Sequence, residues 1–163
     1  MRVTGYGVIF NSSGSIRYEA SGVIKTTNQD TNLASRIKII LLGLEEVIHQ
    51  FKPDCVAIEK VFVNTNPQST LLLGQARGAA ISAAVIQNLD VYEYTALQVK
   101  KSVVGMGHAS KSQVQIMVQK LLNLPSIPSS DSADALACSI CHANISGSIA
   151  KFGTGNRMKS GRI

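Results

Sequence analysis

Cys55-Val56-Ala57-Ile58-Glu59 is a run of four apolar residues closed by an acid. With no alternation between inside and outside, it reads as a short strand buried on both faces, the pattern of a parallel sheet covered by helices. The run delivers Glu59 at its carboxyl end. In open α/β sheets that is where loops diverge and sites form. Just upstream, Lys52-Pro53 ends whatever helix precedes, because proline cannot continue a helix and biases its predecessor to extended geometry. That helix is legible in Asn32–Gln50, where Leu33, Ile37, Ile40, Leu41, Leu44, Val47 and Ile48 recur every three to four residues. Further upstream, Arg2–Phe10 and Ile16–Thr26 are β-rich runs joined by Asn11-Ser12-Ser13-Gly14, four turn formers that predict a hairpin.

Downstream of Glu59 the pattern continues to alternate. Pro67–Gln87 reads as a helix crowded with small residues (Gly74, Ala76, Gly78, Ala79, Ala80, Ala83, Ala84), built to approach a neighbour closely. Val91-Tyr92-Glu93-Tyr94 is another strand, with a short helix from Thr95. Ser110 is a good N-cap for Lys111–Leu122. Pro125 and Pro128 mark a loop, and Asp131 is expected to cap a last helix reaching about Ile145. The order predicts one α/β domain with a mixed sheet, antiparallel at the front and parallel behind, flanked by helices.

A length of 163 residues suits a single hydrophobic core. The folded domain is assigned to residues 1–147 and a basic, disordered tail to 148–163. Every acid lies at or before Asp134, while Lys151, Arg157, Lys159 and Arg162 follow in a Gly- and Ser-rich stretch. The net charge of +6 fits a polyanionic partner, although a merely solvated basic surface fits equally well. No apolar run is read as reaching the roughly 20 residues of a bilayer span, and Met1–Gly5 lacks a signal-peptide layout. A cytoplasmic protein with no membrane partner is expected. Cys138-Ser139-Ile140-Cys141-His142 matches the spacing of haem attachment. In an Ala-rich helical run, however, those cysteines read as small buried hydrophobes.

Seven of the ten carboxylates (Glu19, Asp30, Glu45, Glu46, Asp54, Asp90, Glu93) read as solubility or capping residues. Glu59 is either functional or a solvated strand-exit residue. Asp131 and Asp134 share one face of a helical first turn. Capping and the helix dipole explain one such acid. Two, among Ala133, Ala135, Leu136 and Ala137, place an acidic pair on a helix otherwise built for burial, where carboxylates must be paired or bind metal. Three hard oxygen donors of this kind suit Mg²⁺, which retains waters for a substrate phosphate. Two such ions can activate water and stabilise the leaving oxygen in phosphodiester cleavage. Lys100, Lys101, Lys111 and Lys120, around Gly105-Met106-Gly107-His108, form a cationic segment able to position phosphates.

Six segments in order resemble one bacterial family: Val56–Phe62, Leu73–Gly78, Gln98–Lys100, Val103–Gly105, Lys111–Gln115 and Asp131–Ala137. They are similar to the RuvC-type Holliday-junction resolvases, and Arg2–Ile9 resembles that family's second strand. The resemblance covers about Arg2 to Ile145. It implies an RNase H-like fold and a homodimeric endonuclease that places paired symmetric nicks in four-way junction DNA. It further implies Mg²⁺, two ions per site with Mn²⁺ able to substitute, and partnership with the RuvA–RuvB branch-migration complex. By the same resemblance Glu59, Asp131 and Asp134 are catalytic metal ligands. Phe62, Lys100 and Lys111 contact DNA, and the helix over Ser69–Ala84 forms the dimer interface. The family's first strand, of the type apolar-Gly-Ile-Asp-Pro-Gly, carries a fourth ligand and precedes the residue matched by Arg2; here Met1 stands directly before it. The expectation is therefore a native product that starts upstream, and a chain that is inactive or nearly so as given. The alternative is a catalytically dead junction-binding homologue.

Overall fold

The computed structural model describes residues 3–12, 14–26, 32–60, 67–152 and 161–163. In chain order its elements are β1 (Val3–Ser12), β2 (Ser15–Lys25), α1 (Leu33–Phe51), β3 (Cys55–Glu59), α2 (Pro67–Ile86), β4 (Asp90–Tyr94), α3 (Ala96–Val104), α4 (Lys111–Leu121), α5 (Ser130–Phe152) and β5 (Gly161–Arg162).

The hairpin forms as β1 and β2, but its turn is tighter than the four-residue stretch expected. Asn11 and Ser12 pair with Ile16 and Ser15. Gly14 sits at φ +90°, a region where a side chain would strain the backbone. A bulge follows Val8, where the register slips past Glu19. β3 pairs with β4 in parallel, from Cys55↔Asp90 to Glu59↔Tyr94. α1 starts at Asn32, whose side chain accepts from Ser35 N–H at 2.8 Å, and ends at Lys52 in the left-handed conformation. Thr95 with Gln98, and Ser110 with Gln113, close reciprocal capping boxes on α3 and α4, so Ser110 caps as expected.

The structure adds two details to these expectations and corrects one. The mixed sheet is divided: β2-β1-β5 forms one piece and β3-β4 the other. A cleft of about 440 Å³ separates them, lined by Thr4–Val8 of β1 and by Cys55–Glu59 of β3. β1 and β3 share no ladder. Within the stretch 148–163, α5 continues to Phe152 and Gly161–Arg162 pairs with Asn11 and Phe10. Backbone groups at the end of the chain find the free edge of β1. Ile163 exchanges hydrogen bonds with Ile9 at 3.0 and 3.2 Å, and Arg162 N–H donates to the Asp54 carboxylate at 2.7 Å. Composition reports a tendency to disorder and says nothing of an available strand edge. Third, α2 is long and apolar enough to span a membrane on length and composition. It packs instead against α1, β3 and β4, and its Arg77 forms an ion pair with Glu93.

The core lies under α5. Ile9, Leu136, Ile140, Val118 and Cys141 are fully buried, joined by Val99 and Val103 of α3. α1 and α2 cover the opposite side through Ile40, Ala76 and Ala79. α5 rests on β1 at two glycines. A Cβ at Gly7 would lie 2.7 Å from the Leu136 side chain, and one at Gly5 would strike the Asp131 carbonyl. Those two positions set how deeply the acid-bearing helix sits.

Candidate active site

β3 carries Glu59 to its last residue, where Lys60 N–H still donates to the Tyr94 carbonyl at 2.7 Å. Glu93, one ladder step earlier, pairs with Arg77 of α2. Glu59 and Tyr94 are the next ladder pair, and side chains alternate along a strand, so both point to the other face, toward α5. Tyr94 there donates or accepts at 2.7 Å with His142 Nδ1.

α5 supplies Asp131 and Asp134 from its first two turns. Ser129, not Asp131, is the cap. Its carbonyl accepts from Ala133 N–H at 2.8 Å, and its hydroxyl accepts from Ser132 N–H at 3.3 Å. Asp131 is therefore solvent-exposed and free of the capping duty that would otherwise explain it. The expected cap at Asp131 is thus corrected to Ser129, the first of three adjacent capping residue types at 129–131.

Asp134 stands in the electrostatic neighbourhood of Glu59. Loss of water pushes the Glu59 carboxyl above its ordinary value of 4.5, and Asp134 pushes it further; Lys100 and Lys111 oppose the rise. Asp134 likewise rises, first through burial. Lys111 and Lys100 pull it back, while Asp131 adds to the shift. Four side chains from β3, α3, α4 and α5 thus form one ionic neighbourhood. Glu59, Asp131, Asp134 and Lys111 border the mouth of the interstrand cleft. Phe62 and the rest of 61–66 lie outside the described residues.

No three Asp, Glu, His or Cys side chains among the described residues gather as a ready-made cation cage. The donors fit a more open arrangement. Two carboxylates that resist ionising together gain from a divalent cation, and Mg²⁺ commonly takes only one or two protein carboxylates. The lysines beside them suit phosphate oxygens.

The cysteines carry no competing chemistry. Cys138 and Cys141 are buried, and burial raises both thiols, so neither holds the reactive thiolate. His142 is a core residue with both ring nitrogens engaged. Nδ1 meets Tyr94 and Nε2 lies 3.5 Å from Cys55 Sγ. Of the residues set aside as surface acids, Glu93 pairs with Arg77, Asp54 anchors Arg162, and Glu19 binds Arg17 at 2.7 Å.

Comparison with known proteins agrees with this geometry. The family model for crossover junction endodeoxyribonuclease RuvC matches residues 1–142. A crossover junction endodeoxyribonuclease RuvC of Methylobacillus flagellatus is 60% identical, spanning all of this chain and 93% of that protein. One from Azoarcus sp. is 57% identical over all of this chain and 88% of its own length. Among solved structures, T. thermophilus RuvC in complex with Holliday junction substrate superposes with a TM-score of 0.79 at 30% identity, covering 91% of this chain and 96% of that one. A second Thermus thermophilus RuvC structure gives 0.78 at 32% identity, covering 94% and 92%. The fold and these relatives define an RNase H-like nuclease. Within that class, the chain belongs to the RuvC family of crossover junction endodeoxyribonucleases.

Proposed function

We propose that this protein resolves four-way DNA junctions by paired symmetric nicks, hydrolysing phosphodiesters with Mg²⁺ held by carboxylates. The observation that carries the reading is the meeting of Glu59 and Asp134, from a strand end and a helix start, between Lys100 and Lys111. The junction as substrate is supported by the matched T. thermophilus complex.

Glu59 and Asp134, with Asp131 beside them, would hold the ion, two per site in the full arrangement, and Mn²⁺ shares the preference for oxygen donors. Bound there, the ion supplies Lewis acidity and an activated water. The chain's own residues do the rest. Lys100 and Lys111 bring the scissile phosphate to the carboxylates and offset the charge accumulating there. Phe62, expected at the junction bases, follows Glu59 by three residues.

The cytoplasm is the expected compartment, with recombination and repair the setting. Two symmetric cuts call for two sites related by a two-fold axis, so the working form is a homodimer. The exposed face of α2 offers the interface. Gly74, Gly78 and Ser82 form a small-residue strip between Leu71 and Val85, which are 62% and 57% exposed. A Cβ at Gly74 or Gly78 would meet nothing within 4 Å, so the strip is open to a second copy. RuvA–RuvB remains the proposed partner.

The test is incubation of a labelled four-way junction with the full chain and Mg²⁺. Symmetric nicks abolished by Glu59→Gln or Asp134→Asn support the reading. A second reading, junction binding without cutting, draws on the absence of a three-ligand cage among the described residues. Tight junction binding with no nick at any Mg²⁺ or Mn²⁺ concentration would establish it.

A further inference from the structure

The first turn of α5 is tied to the sheet by hydroxyls that touch neither carboxylate. Ser129 Oγ donates to Ser132 Oγ at 2.9 Å, and Ser132 Oγ donates onward to the Gly22 carbonyl of β2 at 3.2 Å. Ser132 is 5% exposed, so its hydroxyl is shielded from water and its proton is committed to β2. Gly5 allows the same turn to press its Asp131 carbonyl against β1. One contact sets the depth of the turn and the other its rotation.

Rotation matters here because of helical geometry. At about 100° per residue, Asp131 and Asp134 lie roughly 60° apart on one face, and Ser132 points about 100° from one and 160° from the other. A helix held to β2 through Ser132 therefore turns its acids away from β2, toward the cleft and β3. We propose that Ser132 is a positioning residue for the metal-binding carboxylates: its link to Gly22 sets the rotation at which Asp134, with Asp131 beside it, meets Glu59. The inference rests on the metal-dependent reading given above.

The same helix contains its own control. Ser139 is 4% exposed, and its hydroxyl has two acceptors, the Gly7 carbonyl of β1 at 3.2 Å and the Ala135 carbonyl of α5 at 3.3 Å. Like Ser132 it is a buried serine bonded to a strand carbonyl, but it lies five residues beyond Asp134, about 7.5 Å along the axis. A general role in fastening α5 to the sheet predicts equal consequences for the two serines. A positioning role separates them.

The experiment measures Mn²⁺ binding to the full chain without DNA, by calorimetry or electron paramagnetic resonance, alongside thermal melting. Ser132→Ala, Ser139→Ala and Glu59→Gln are compared with the parent. Both serine variants should melt lower by similar amounts. Ser132→Ala should weaken Mn²⁺ binding by about tenfold, the scale at which groups that orient metal ligands act, while Ser139→Ala should bind as the parent does. If Ser132→Ala does not fold, Ser132→Cys fills the same space with a poor donor and carries the comparison. Parental affinity in the folded Ser132 variant, or equal weakening in both serine variants, overturns the inference while leaving the metal site standing. A parent that binds no Mn²⁺, or binding unchanged by Glu59→Gln, overturns the metal site and this inference together.

Discussion

At Glu59 and Asp134 the folded protein holds protons more tightly than the unfolded chain does, since both carboxyls are raised by desolvation. Their contribution therefore favours folding at low pH and is lost as pH rises through the raised folded values. Glu59→Gln and Asp134→Asn should each raise the melting temperature of the metal-free protein at pH 7. That gain should vanish below about pH 4, where the parent carboxyls are protonated as well. Melting curves across pH check the sign; a variant less stable than the parent at pH 7 would contradict it. Divalent cation should reverse the order, because binding to the native state stabilises by about 2.7 kcal/mol at a hundredfold excess over Kd. Mg²⁺ should thus raise the parent's melting temperature and leave the two variants unmoved. Gly5 belongs to the same scale. Gly5→Ala drives a methyl group into the Asp131 carbonyl and should cost about 1–3 kcal/mol, read from urea midpoints.

Among the elements, α5 and α2 were legible to different depths. The acidic pair at the start of α5 is visible in the spacing of Asp131 and Asp134. Its cap is not, because Ser129, Ser130 and Asp131 are all capping types and only the hydrogen bond from Ser132 N–H chooses between them. Ser129→Ala should cost about 1 kcal/mol of stability, whereas Asp131→Ala, which removes no cap, should leave the helix start intact in chemical-shift measurements. α2 showed its small residues in sequence but not which face they occupy. Gly74, Gly78 and Ser82 are exposed, while Ala76, Ala79, Ala83 and Ala84 face inward. Gly78→Phe should therefore leave the fold intact and convert a dimer to a monomer in light scattering. A parent that is monomeric at working concentration would remove α2 as an interface.

For the whole molecule, cationic groups from α3 and α4 converge on acids from β3 and α5, in a chain of net charge +6. Binding to a four-way junction should weaken steeply with salt. Lys100→Ala and Lys111→Ala should each reduce the slope of log K against log salt by roughly one, the loss of one phosphate contact. Equal affinity for a junction and for a duplex of the same length would refute junction recognition.

Periodicity and local chemistry determined most of the architecture: the hairpin, the helical faces, the buried strand ending in Glu59 and the cap at Ser110. These depend on neighbours in the chain, where side-chain period and capping act within a few residues. The convergence of Glu59 with Asp134 joins residues 75 positions apart, and the six ordered segments reached it through family resemblance rather than geometry. Only the tertiary structure decided that the chain's last residues take the free edge of β1 and that Ser129 releases Asp131 from capping. Each of these is a competition for backbone hydrogen bonds. Such a competition is settled by which partners come within about 3 Å in the folded chain, a distance that composition and spacing do not contain.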